Sequence, residues 1–251
     1  MIYSCTMFFN EFHLLDLKIA EELDVVDKII ISESDRTFSG NPRSLKLKNN
    51  PKYAHPKIDI IAFVGKFTKS AWDNEKMQRD IPLPPHADSD VFIVSDIDEI
   101  HKKEDIPKIV GAALNHGFVR IQQRMYYYKI NLTVSLTSYW EKSFAVTGKF
   151  LRTCGQTFDE LRRSNRGTRF YTEGRHFGYL GDEEAIATKI KNFSHTELNR
   201  ERFTNTDHIR QRIMTHSDPF DRPKHLTLVN LDETYPKTIL ANLDQWTSHM
   251  A

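Results

Sequence analysis

The chain has 251 residues, 39% of them apolar and 27% charged, with 16 Phe and 10 Gly. This is a globular composition that excludes a disordered, collagen-like or low-complexity chain, and at about 100–200 residues per domain the length fits one large domain or two small ones. Lys plus Arg total 35 and Asp plus Glu 34, a formal charge of +1, so the basic excess of a nucleic-acid or membrane-surface binder is missing and no nucleic-acid partner is expected.

In chain order, residues 3–9 are apolar and aromatic and predict a buried first strand. Asn10 reads as a helix N-cap, with Glu11 in the first turn and Phe12, Leu15, Ile19 and Leu23 at helical spacing. Residues 25–31 and 58–64 are β-branched runs that predict strands buried on both faces, and Gly40-Asn41-Pro42 marks a turn between them. Ser70 with Asp73 predicts a capped helix to about residue 80, ended by Pro82, Pro84 and Pro85. Residues 90–95 form the clearest buried strand. A helix follows over 104–114, then strands over 118–132 and 143–151, then helices over 159–164, 183–191, 206–215 and 238–246. Continuous apolar strands separated by helices predict an α/β fold, a mostly parallel sheet with helices on both faces, as a single domain over 1–251.

Cys5 and Cys154 are too few for a disulfide framework or a four-cysteine zinc site, and they fit a reducing compartment. No run approaches the roughly 18 apolar residues of a membrane span, and the first residues lack a basic stretch, so a soluble, cytoplasmic protein is expected.

The strongest chemical signal is Val91-Phe92-Ile93-Val94-Ser95-Asp96-Ile97-Asp98-Glu99-Ile100, a buried strand running into three carboxylates. In extended chain Asp96 and Asp98 share a face. Adjacent carboxylates repel unless a cation lies between them, and oxygen ligands select Mg²⁺ or Mn²⁺. The end of a strand is also where α/β sheets bind ligands. Solvated acids at a strand end would give the same short pattern.

This segment and its surroundings resemble glycosyltransferase family 17. The resemblance runs through Phe9-Asn10-Glu11, Glu33-Ser34-Asp35-Arg36-Thr37-Phe38-Ser39-Gly40, Asp96-Ile97-Asp98-Glu99-Ile100, Gly174-Arg175-His176 with Glu184 and Ile186, and the C-terminal helices. Arg175 stands where the family has Trp, and His101 where it has Pro. The resemblance implies a GT-A-like fold, with 1–100 as the nucleotide-sugar half and 101–251 as the acceptor half. It implies a nucleotide-sugar donor (a UDP-sugar, N-acetylglucosamine in the family), a divalent metal, a glycan acceptor and inversion at the anomeric carbon. Asp98 with Asp96 would hold Mn²⁺ or Mg²⁺ against the donor diphosphate. Glu184 would be the catalytic base, with Asp182 and Glu99 as alternates, although acids in a first helical turn are favoured by the helix dipole alone.

His176 and His195 are candidate phosphate or metal ligands, His176 towards the donor phosphate and His195 towards the metal; hydrogen-bonded structural histidines read the same way. Asn10, Glu11 and Glu33 follow the first two strands and could bond the nucleoside or donor sugar. Arg79 could pair with phosphate or with Asp96. Arg152, Arg162, Arg163, Arg166, Arg169 and Arg175 occur without an intervening lysine, as a phosphate-binding stretch or a solvated face. Tyr126-Tyr127-Tyr128 and Trp140 offer stacking platforms, with at least two of the tyrosines expected in the core. The rival readings are a non-catalytic glycan-binding protein and a metal-dependent phosphatase or phosphotransferase with Asp96 as nucleophile.

Overall fold

A computed structural model describes residues 1–251. The β-branched runs of the first hundred residues become four parallel strands: β1 (Ile2–Phe8), β2 (Lys28–Ser34), β3 (Ile58–Phe63) and β4 (Val91–Val94), in the order β4-β1-β2-β3. The rest of the chain extends the same sheet with β5 (Glu99–Ile100), β6 (Phe118–Tyr127), β7 (Leu132–Thr133), β8 (Phe144–Thr147), β9 (Thr168–Gly178) and β10 (Thr227–Leu228). Here β6 and β9 run parallel while β8 is antiparallel to β4 and β6, so the sheet is mixed beyond β4.

Helices cover both faces. On one side α1 (Phe12–Glu22) and α3 (Ile106–His116) bury Leu14, Leu15, Ile106 and Ile109 against Ile29, Ile31, Val91 and Ile93. On the other, α2 (Ala71–Arg79), α4 (Gly148–Cys154) and α5 (Phe158–Arg163) pack Met77, Leu151, Phe158 and Leu161 on Cys5, Phe92, Val94 and Phe144. Each fully buried Leu, Ile or Phe side chain contributes roughly 1.5–3 kcal/mol against its exposed state. A smaller cluster holds α6 (Glu183–Asn192) and, beyond α7 (Glu201–Thr204), α8 (Thr206–Met214) on Tyr127, Tyr128 and Leu132. The chain closes with α9 (Lys237–Leu240) and α10 (Leu243–Trp246), two short turns in place of one helix over 238–246. No helix is long and apolar enough to cross a membrane.

Other boundaries differ for local reasons. Helix α1 starts at Phe12 with Glu11 in the cap position, so Asn10 is not its cap. The strand expected over 143–151 stops at Thr147, whose hydroxyl accepts the Phe150 N–H at 3.2 Å and starts α4. Gly148 is required there: a Cβ would lie 2.2 Å from the Ala87 carbonyl oxygen. The strand from Phe118 ends at Tyr127, because Tyr128 takes a left-handed φ of 63°. The longest strand, β9, is unforeseen by the sequence; its charges and two glycines hide its alternation. Cys5 and Cys154 are free thiols.

Two features set an acid limit on stability. His101 is fully buried, with its ring nitrogens 3.4 Å from Gln123 Nε2 and 3.1 Å from Ser143 Oγ, and burial followed by Lys18 pushes its pKa well down. Burial and His249 hold His13 at about 4. A depressed native pKa means the unfolded chain binds more protons, so stability is present above the unfolded value of 6.5 and is lost as pH falls below it. The melting temperature is expected to decline between about pH 6.5 and 4. A flat profile across that window contradicts the buried neutral histidines.

Candidate functional site

Beyond the carboxyl ends of β1, β2 and β4 lies a cavity of about 610 Å³. That size suits a ligand well above a single sugar. Asp96 and Asp98 both line it, though not as an extended pair: the chain turns, with Glu99 N–H donating to the Asp96 carbonyl at 3.0 Å. The two carboxylates therefore have separate partners. Asp96, 30% exposed to the cavity, receives Arg79 at 3.2 Å and Arg162 at 2.5 Å. Asp98 is buried between Lys189 Nζ at 2.8 Å and His176 Nε2 at 3.4 Å. Burial alone would raise its pKa, but Lys189 and His176 outweigh it and hold the carboxyl far below the usual range.

The register of β5 against β9 explains the pairing with His176. Glu99 lies opposite His176, and Phe177 N–H donates to the Asp98 carbonyl at 2.8 Å. Trp140 stacks on His176 with centroids 4.5 Å apart and also lines the cavity. Arg79 is gripped by Asp159 at 2.6 Å and Glu75 at 2.5 Å, in addition to Asp96. Lys189 reaches Glu11 as well, at 3.2 Å.

Several sequence candidates do other work. Glu99 is fully buried; Arg162 donates to its two oxygens at 2.9 and 3.0 Å, the Asp96 N–H donates at 2.7 Å, and the Trp140 indole N–H donates to Oε1. With every acceptor direction filled it has no access to an acceptor hydroxyl. Glu184 is exposed on α6 and does not line the cavity. Asp182 caps α6 by accepting the Ala185 N–H at 2.8 Å, and it too lies outside. None of these three carboxylates has the geometry of a base.

Glu33 is fully buried and accepts the Lys46 and Leu47 N–H groups at 2.6 and 2.9 Å. It shapes the following loop instead of meeting a ligand. Asn10 does not line the cavity. Glu11, Arg79 and His176 do. His195 lines the far wall, bonded to Glu197 at 2.8 Å and edge-on to Trp72, with neither aspartate as a partner. From the arginine run, Arg162 and Arg163 reach the cavity. Arg175 is 2% exposed, with its guanidinium 4.5 Å from the Tyr235 ring and 5.6 Å from that of Tyr126. The three consecutive tyrosines are all buried, Tyr127 against the cavity.

Sequence reasoning missed Lys189, Arg36 and Lys142. Lys189 lies five residues after Glu184, roughly 140° around the helix, so the motif residue and the cavity residue point in different directions. Arg36 and Lys142 line the cavity without any carboxylate within ion-pair distance; burial, then Arg120 and Arg162, lower the Lys142 pKa.

No group of three or more metal-binding side chains is present. A cation shared with phosphate oxygens needs only one or two carboxylates, however. Asp98 and Asp96 supply those two carboxylates, while the cavity wall as a whole carries eight Lys and Arg side chains (Arg36, Arg43, Arg79, Lys142, Arg162, Arg163, Lys189, Arg222) against four carboxylates (Glu11, Glu75, Asp96, Asp98), a balance that suits the phosphates of a ligand bound together with the ion. The donors are hard oxygens, and the residues present fit Mg²⁺ or Mn²⁺.

The family model for glycosyltransferase family 17 matches residues 1–234. None of the curated protein sequences matches the chain. Among solved structures, 2-C-methyl-D-erythritol 4-phosphate cytidylyltransferase of Francisella tularensis is 10% identical, with 72% of this chain and 90% of that chain covered and a TM-score of 0.40. TarS of S. aureus, residues 1–349, is 9% identical, with 85% and 72% covered and a TM-score of 0.40. Likenesses this distant say nothing of substrate.

Proposed function

Because the chain belongs to glycosyltransferase family 17 and is thus an enzyme of glycosyl transfer, we propose that it moves a sugar from a nucleoside diphosphate donor to a glycan hydroxyl, with inversion and with a divalent metal. The observation that carries the reading is the cavity beyond β4, with Asp96 and Asp98 in its wall and basic side chains, Arg36 and Lys142 among them, lining the rest.

In this reading Asp98 and Asp96 would hold the cation, and Glu11 would remain as a carboxylate partner for Lys189. The bound metal supplies charge neutralisation on the departing nucleoside diphosphate. Arg36 and Lys142, which have no carboxylate partner, meet the phosphate oxygens. Glu99 keeps Arg162 in place beside Asp96. The acceptor hydroxyl attacks the anomeric carbon as the bond from that carbon to the donor phosphate oxygen breaks, and the hydroxyl proton passes to a cavity group. The candidates are Glu11, Glu75, His176 and His195. A family 17 enzyme makes UDP-N-acetylglucosamine the first donor to test.

Two results check this. Nucleoside diphosphate release from a panel of nucleotide sugars, with a glycan acceptor, is expected with Mn²⁺ and lost in EDTA; equal turnover in EDTA overturns the metal dependence. Glu184→Gln is expected to keep turnover within about twofold of wild type, since an exposed side chain away from the site contributes little. A loss of about 10²-fold or more, the lower end for a general base, would restore Glu184 to that role.

A further inference from the structure

Helix α1 buries an unusual set of side chains for a core-facing helix. Lys18, Glu21 and Glu22 are 0%, 2% and 1% exposed among its leucines. Bringing such charges out of water costs several kcal/mol each, and a well-packed apolar pair of similar volume is often at least as stable. Packing alone therefore does not account for them, and their contacts do.

Lys18 Nζ donates to Ser95 Oγ at 2.7 Å and to the Glu99 carbonyl oxygen at 3.1 Å, and it pairs with Glu22 at 3.0 Å. Glu22 is held in turn by the Ser4 hydroxyl on β1, at 2.5 Å. Two hydrogen bonds and one counter-charge thus hold the ammonium group. Ser95 and Glu99 are the residues on either side of Asp96-Ile97-Asp98, so one buried cation grips both ends of the turn that carries the two aspartates.

The neighbouring acid extends the same anchor. Glu21 accepts the Lys103 N–H at 2.9 Å and the Thr238 N–H at 3.1 Å, tying α1 to the chain that follows β5 and to the C-terminal segment. The face of α1 that would ordinarily be a plain apolar stripe is thus a rigid mount for the Asp96–Asp98 turn. None of these groups lines the cavity.

We infer that Lys18, locked by Glu22 and Ser4, is a positioning residue that sets the orientation of the Asp96 and Asp98 carboxylates for a divalent cation. This rests on the functional reading above. Groups that orient metal ligands typically change metal affinity by about 10–100-fold when removed.

The test is Mn²⁺ binding to the full chain with UDP present, read as free Mn²⁺ by electron paramagnetic resonance, beside thermal unfolding. Lys18→Met/Glu22→Gln removes the cation and its counter-charge together, so no lone buried charge remains. It is expected to weaken Mn²⁺ binding about tenfold or more at a temperature where the variant is fully folded. Ser95→Ala leaves the ion pair intact, removes one grip, and is expected to weaken binding by a smaller factor. A purely structural role would lower the unfolding temperature and leave the affinity of the folded protein unchanged, which overturns the inference. If the double variant does not fold, Ser95→Ala with wild-type affinity overturns it equally. Wild-type protein that binds no Mn²⁺ with UDP or GDP overturns the functional reading, and this inference with it.

Discussion

Replacing Asp98 with asparagine is expected to slow Mn²⁺-dependent nucleoside diphosphate release by about 10²–10³-fold, the scale of losing a few kcal/mol of transition-state charge stabilisation. The fold should survive. Asp98 is buried, but its amide replacement still bonds the Lys189 ammonium, and Lys189 keeps Glu11 at 3.2 Å. The measurement is initial rate against Mn²⁺ concentration, together with the melting temperature. Rates within about threefold of wild type at saturating metal would remove Asp98 from the chemistry, since a true metal ligand costs far more. The same loss in Asp96→Asn is expected to be smaller, because Asp96 already has two arginines on its oxygens and is the more exposed of the pair.

Glu99→Ala is expected to act on stability first. The carboxylate is fully buried and takes four hydrogen bonds. Burial pushes its pKa up, but Arg162, His176 and the Trp140 N–H together outweigh burial and lower it, so it stays ionised. Removal leaves Arg162 with Asp96 alone and leaves the Trp140 indole N–H unpaired. Breaking a buried pair from one side costs about 3–5 kcal/mol, which for a chain of this length lowers the melting temperature by roughly 6–20 °C. Glu99→Leu with Arg162→Met, which removes both charges, should regain part of it. If Glu99→Gln instead abolished turnover at an unchanged melting temperature, a catalytic role would replace the structural one.

The legible part of this protein was its first hundred residues. Apolar runs such as Ile29-Ile30-Ile31 and Val91-Phe92-Ile93-Val94 form parallel strands because nothing but a doubly covered sheet can bury them on both faces. The cavity end was legible through Asp96 and Asp98 for the same reason. What the sequence hid was three-dimensional pairing. Strand β9 carries Arg169, Glu173 and Arg175, and its polar run reads as loop until the β6 and β5 pairings are known. Glu99 reads as a third catalytic acid, but Arg162, 63 residues away, consumes it. Glu184 matches a family position, yet helical phase turns it outward and brings Lys189 to Asp98 instead. Charges whose partners lie far along the chain are invisible to local spacing, and most of this site consists of such charges.

Anomalous diffraction from crystals grown with Mn²⁺ and UDP tests the central claim most directly. The account predicts a manganese peak on the Asp98 carboxylate, joined to the diphosphate, with Lys189 moved off Asp98 towards Glu11. Ordered UDP in the cavity with no manganese beside it, and Lys189 still on Asp98, would contradict it.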